Sequence, residues 1–228
     1  MEQNMLNARK SASPRRRHTQ RGNVLVEFAI LFPFLTSLLA GGFTLGMSLT
    51  KAVQCSQLCR NANVLMVRSI DVSSAANQQL LLRTGTGLGL NIAGTNNPDP
   101  NGKGTIILTK VIRVGDSACY SGINNWNGNP STCANHGQYV IAQRIVIGNT
   151  TRWASATGPI SSSYLDSKGQ VSDANVATNS TCRAIGFPGI VALSNDEFTY
   201  VSEVYADVSD LTLMNWMKAP TISVRNVS

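Results

Sequence analysis

Hydrophobic positions along this chain follow two regimes. From Phe28 to Thr50 the residues read FAILFPFLTSLLAGGFTLGMSLT with no charge among them. As a helix, a run of that length crosses a hydrocarbon core of roughly 30 Å. Past Lys51 the pattern becomes amphipathic: Leu58, Ala62, Leu65 and Met66 recur near helical spacing, with Arg60, Asn61 and Arg68 elsewhere. A helix from about Asn23 to Ser69 would be on the order of 70 Å long, more than twice a bilayer. The pattern therefore predicts a transmembrane helix over 23–50 and a half-exposed helical stalk over 51–83.

A Gly/Asn/Pro-rich linker follows over 84–104. Its Gly-x-Gly pieces follow no strand and close on no Lys-Ser/Thr pair, so they read as a loop and not as a phosphate cradle. Three strand-like runs come next: TIILTKVIRV from Thr105, QYVIAQRIVI from Gln138 and EFTYVSEVYADV from Glu197. In the last, Phe198, Tyr200, Val204, Ala206 and Val208 alternate with Thr199, Glu203 and Asp207, the period of a half-buried strand. Residues 149–184, rich in Ser, Thr, Asn and Gly, read as irregular surface. The expected fold is α+β: a long N-terminal transmembrane and stalk helix packed against an antiparallel sheet, with 105–228 as the β-rich outer domain.

Charge changes this picture at one end. The formal net charge is +7, yet Arg9, Lys10, Arg15, Arg16, Arg17 and Arg21 against Glu2 alone place +5 of it ahead of Asn23. The body has no basic stripe with interleaved aromatics, so nucleic acid is not an expected partner. Basic residues before an apolar helix stay on the cytoplasmic side, which places everything after Lys51 outside the membrane. The expected location is the inner membrane, single-pass, with a cytoplasmic N-terminus.

One residue resists the plainest version of this reading. Glu27 stands at the head of the apolar run, and an ionisable group at the centre of a membrane helix costs about 2.5–3.5 kcal/mol on insertion scales, less near the interface. A secretory signal, with Ala40 and Gly42 as a small-residue pair for a peptidase, gives the glutamate no role. Neither does a simple signal anchor. The segment RGNVLVEFAILFPFL, with Arg21-Gly22, Glu27-Phe28 and Pro33, resembles the processed N-terminus of the TadE-like minor pilins of tight-adherence pili. QYVIAQRIVIGN and EFTYVSEVYADV also look TadE-like, and elsewhere the likeness is weak. Phe28 stands where family members often carry Tyr.

The resemblance implies a basic leader over 1–22, with Arg15, Arg16, Arg17 and Arg21, cut from the mature chain between Gly22 and Asn23 by a membrane prepilin peptidase. Gly22 suits a scissile bond held extended just outside the helix. Each leader arginine favours the anionic cytoplasmic surface by about 1 kcal/mol. The cut frees an amine at Asn23, which can pair with Glu27 of its own or a neighbouring subunit, so Glu27 and Phe28 become assembly residues. Other pilin and pseudopilin subunits and the pilus assembly machinery are the implied partners. A second reading from another class is a membrane-anchored outer binding module outside any filament, with Trp126 as a contact residue.

Five cysteines stand at positions 55, 59, 119, 133 and 182. With no Cys-x-x-Cys and only His18 and His136 as imidazoles, no metal or other cofactor is expected. In an oxidising compartment Cys119 and Cys133 can close the loop YSGINNWNGNPST as a disulfide, a stabilisation of about 3 kcal/mol in the chain-entropy account. Either Cys55 or Cys59 can pair with Cys182, or both serve as small apolar residues on a packed face. No nucleophile motif accompanies His136 and no carboxylate pair stands at a recognisable spacing, so the expectation is a structural subunit and not an enzyme.

Overall fold

The computed structural model describes residues 20–187, 189–208 and 221–228. Internal contacts divide the chain into Met1–Phe43 and Thr44–Ser228. The leader arginines Arg15, Arg16 and Arg17 lie outside the described residues. Helix α1 runs Gln20–Val67, followed by α2 (Ala75–Thr84), β1 (Gly104–Arg113), α3 (Asp116–Gly122), β2 (Tyr139–Gly148), α4 (Asp173–Thr178), β3 (Phe198–Asp207) and β4 (Thr221–Val227). An α+β arrangement of one long apolar N-terminal helix and a four-stranded sheet is thus present.

The stalk is two helices and not one. At the end of α1, Ile70 N–H reaches Leu65 O at 3.0 Å and Ser69 N–H reaches Met66 O at 2.9 Å, with Ser69 in a left-handed conformation (φ 57°). That is a Schellman ending, built here on serine where glycine is usual. Ser74 then caps α2 by accepting from Asn77 N–H, and α2 buries Leu81 and Leu82. The 84–104 segment is not a free tether either, because Leu88 and Leu90 enter the same core. Gly104 is needed there: a Cβ on it would sit 2.5 Å from Leu88 O.

The sheet order is β2-β1-β3-β4, antiparallel throughout. The three expected strands form within a residue of their apolar runs, while β4 was not foreseen. One face presents Ile106, Leu108, Ile145, Ile147, Val204 and Ala206 to Cys55, Leu58, Cys59, Ala62 and Met66 of α1. These helix residues extend the stripe read from the sequence. On the opposite face Val111, Ile141 and Val201 pack against Ala184, Phe187 and Leu193 of later loops.

Coverage on both faces overturns the half-buried reading of β3. Glu203 is 1% exposed and Thr199 4%. A carboxylate can be buried only when paired and hydrogen-bonded, and Glu203 is both. Its Oε1 lies 3.1 Å from Arg225 Nε and accepts from Ala156 N–H, while its Oε2 accepts from Ser155 Oγ. Neighbouring Arg144 donates to Thr109 Oγ1, Gly158 O and Thr157 Oγ1. Burial pulls the Arg144 guanidinium down to about 10, against the opposing pull of Glu203; it remains a cation at neutral pH.

The 149–184 segment supplies four of these partners, Ser155, Ala156, Thr157 and Gly158, so it is structural rather than irregular surface. Its Ser and Asn side chains are spent locally: Ser172 caps α4, and Asn179 and Ser161 cap short 3-10 turns. With their polar groups satisfied, Val171, Val176, Ala177 and Cys182 enter a second cluster with Val114, Cys119, Trp126 and Cys133.

Candidate functional site

The residues singled out for processing and assembly lie in the first turns of α1. Gln20 begins the helix, so the Gly22–Asn23 bond sits inside the first turn and not in extended chain ahead of it. Any enzyme cutting this bond would first have to unwind that turn. The first four N–H groups of any helix lack intrahelical acceptors, which makes these residues the easiest to open.

From Val24 to Leu49 every large apolar side chain is exposed, Met47 least at 39% and Leu39 most at 77%. A helix apolar on all sides has no water-facing side, the pattern of a membrane segment. This helix is long and apolar enough to cross a bilayer. Polar atoms inside hydrocarbon must be satisfied internally, and three hydroxyls here are. Thr36 Oγ1 donates to Phe32 O and Pro33 O, Ser37 Oγ to Phe34 O, and Thr50 Oγ1 to Gly46 O, all within 3.0 Å. Pro33 supplies no N–H of its own. A Cβ at Gly42 or Gly46 would meet nothing within 4 Å, so both glycines leave smooth, approachable helix surface.

Glu27 breaks the apolar surface. It is exposed, and it has no hydrogen-bond or ion-pair partner among the described residues. Phe28, 59% exposed, lies against its helical neighbour Phe32, ring centroids 5.6 Å apart. The two side chains are thus presented outward together.

The cysteines settle differently. Cys119 and Cys133 form a disulfide with Cα atoms 5.9 Å apart. Cys55, Cys59 and Cys182 are buried free thiols, so the pairings with Cys182 do not form. Cys59 Sγ donates to Ser202 O at 3.1 Å and sits against the sheet as a small apolar residue would. Burial pushes the Cys55 thiol up to about 11, and burial raises Cys59 as well, so neither is a ready thiolate.

Inside the disulfide loop, Trp126 is not a contact residue: it is 6% exposed and donates from Nε1 to Asn129 O and Thr132 Oγ1. The loop cannot build a core of its own and uses the indole as its centre, with Tyr120 packed edge-on at 4.7 Å. His136 Nε2 lies 3.0 Å from Asp116 Oδ1. Among the described residues no group of three or more His, Cys, Asp or Glu side chains is placed to hold a metal ion.

Sequence reasoning missed the Glu203 and Arg144 network, β4, and Asn63, which is 2% exposed on α1. A signal for Asn63 existed: it lies four residues after Cys59, on the buried stripe. No family model, characterised protein or solved structure matches this chain.

Proposed function

We propose that this chain is a TadE-like pseudopilin, a structural and assembly subunit of a tight-adherence type IV pilus, cut between Gly22 and Asn23 by a prepilin peptidase. It is held in the inner membrane by α1 with the sheet domain outside, and it performs no catalysis. One observation carries the reading. A helix exposing apolar side chains on every side bears a single unpartnered carboxylate, Glu27, five residues after Gly22.

Cleavage supplies the missing partner. The new amine at Asn23 stands four residues before Glu27, within reach on one helix face, and the same amine on a neighbouring subunit is an equal match. Two charges, each unfavourable in hydrocarbon, become one ion pair. A simple anchor has no use for the carboxylate. The anchored binding module loses its named contact residue, since Trp126 is buried.

The test is the N-terminal residue of protein extracted from membranes, read by mass spectrometry. Asn23 is the expected result. An intact Met1 would favour the uncut anchor, and Phe43 ordinary secretion. Gly22→Val crowds the backbone that the peptidase must hold, so this variant should accumulate uncut in the membrane. Normal maturation of it would put the cut elsewhere.

A further inference from the structure

The two edges of the sheet are finished differently. Along β2 the later chain lies against the outer edge: Arg144 N–H donates to Gly169 O at 2.7 Å, Val171 N–H to Ala142 O at 2.9 Å and Ala184 N–H to Tyr139 O at 2.8 Å. Nothing comparable covers β4 among the described residues. Tyr200 and Ser228 exchange both N–H···O bonds, and the register holds from Val201–Val227 to Asp207–Thr221. Pairing alternates along an antiparallel ladder, so Ile222, Val224 and Asn226 bond to β3. Thr221, Ser223, Arg225 and Val227 turn their N–H and C=O groups outward. A bare edge of this kind is a template for another strand.

A groove of about 430 Å³ borders that edge, lined by Arg60, Asn63, Val64, Val67 and Arg68 near the end of α1 and by Asn226 and Ser228 at the end of β4. Asn63 is 2% exposed, and neither its Oδ1 nor its Nδ2 has a hydrogen-bond partner among the described residues. Both atoms are sealed from solvent, so Asn63 is a buried orphan behind the groove wall and not a contact within it. Val64 and Val67 are about half exposed, at 47% and 53%. Arg60 and Arg68 stand exposed beside them with no ion-pair partner among the described residues, and no acidic side chain lines the groove. The side-chain charge is positive.

We propose that the β4 edge and this groove form a docking site for an extended, acidic segment of another protein. The segment adds to β4 as a fifth strand, rests apolar side chains on Val64 and Val67, and places carboxylates near Arg60 and Arg68. Main-chain pairing provides the attachment and the alternate side chains provide the choice of partner. The site goes beyond the pilin reading and does not depend on cleavage at Gly22.

The test uses the full chain in detergent micelles with three capped peptide probes of about seven residues, a typical strand length. One alternates Val and Thr with two Glu, one carries Lys in place of Glu, and one is the Glu peptide N-methylated on its pairing edge. In the free protein the amides of Ser223, Arg225 and Val227 should exchange fast, and those of Val224 and Asn226 slowly. The Glu peptide should protect Ser223 and Arg225. The Lys peptide should bind about threefold to tenfold more weakly, and the N-methylated peptide should give no protection. Arg60→Glu combined with Arg68→Glu, both exposed positions, should reverse the preference between Glu and Lys. Protection of Ser223 and Arg225 without any peptide would overturn the proposal. If independent of concentration it would mean that the chain covers its own edge, and if dependent on it, that a second copy does. Equal binding of the Glu and Lys peptides would also overturn it, as would absence of protection at saturating Glu peptide.

Discussion

Between Val24 and Leu49, α1 exposes every large apolar side chain; between Cys55 and Met66 the same helix buries Cys55, Leu58, Cys59, Ala62 and Met66 and leaves Gln57, Arg60 and Asn61 outside. Backbone geometry is shared by the two stretches, so the difference lies in what each must satisfy. The first keeps its hydroxyls on its own carbonyls because no neighbour is available. The second uses its neighbours: Cys59 donates to Ser202 O and in turn its carbonyl accepts from Ser202 Oγ. One stretch satisfies its hydroxyls within itself, and the other depends on the sheet it packs against.

Truncation should separate them most sharply. Leu58→Ala removes a fully buried side chain between α1 and the sheet and should destabilise the outer domain by about 2–5 kcal/mol. Leu38→Ala, 58% exposed in the structure, should leave that domain's urea midpoint unchanged. Parallel urea titrations in micelles compare the two. Equal shifts would erase the distinction between the stretches.

Glu27→Gln probes the lipid-facing stretch. It keeps shape and hydrogen-bonding capacity without the charge, so insertion should become easier, by less than about 2.5 kcal/mol because the site is near the interface. On the proposed function, processing should survive while co-purification with pilus components falls. Matched membrane preparations of wild type and variant read both in one sample. Equal recovery in complex would leave the carboxylate without an assembly role.

Acid should weaken the outer domain. Burial by itself would raise Asp196, but it accepts from the N–H groups of Ser117, Ala118 and Gly115 at the start of α3, and these hold it below the ordinary 3.8. A carboxyl lowered on folding contributes its stability in full above the unfolded value. That contribution is lost as pH falls below about 3.8 through the lower folded value. Asp196→Ala should cost about 0.5–2 kcal/mol at pH 7, the range for a lost helix cap, with the gap to wild type closing in acid. Urea midpoints at pH 7 and pH 3 measure this. A gap that persists in acid would mean that Asp196 acts through packing instead.

The smallest effect lies where α1 ends. Ser69 holds φ 57°, which strains a residue bearing a Cβ, so Ser69→Gly should stabilise the outer domain by about 0.5 kcal/mol. A Tm that falls instead would show that the serine side chain contributes more than the conformation costs.

How much of this was legible follows from the range of each signal. An unbroken apolar run marks a membrane helix without any partner, and a recurrence of Leu58, Ala62, Leu65 and Met66 marks a buried stripe wherever the helix docks. The apolar cores of β1, β2 and β3 were readable for the same reason, as was the Cys119–Cys133 loop, whose composition could not fold unaided. β4 was not, because TISVRNV is short and half polar and becomes a strand only when β3 offers it a ladder.

The local pattern of residues determined by itself the long apolar helix, its buried stripe and the strands β1, β2 and β3, since each depends on a period that a few neighbouring residues complete. Only the tertiary structure decided that β3 is covered on both faces, that Glu203 can stay buried beside Arg225, and that Asp196 caps a helix far from it in sequence. In each case the partner comes from a distant part of the chain. A buried charge or an orphan amide such as Asn63 has no local period, because its free energy is set by what folding brings within hydrogen-bond reach.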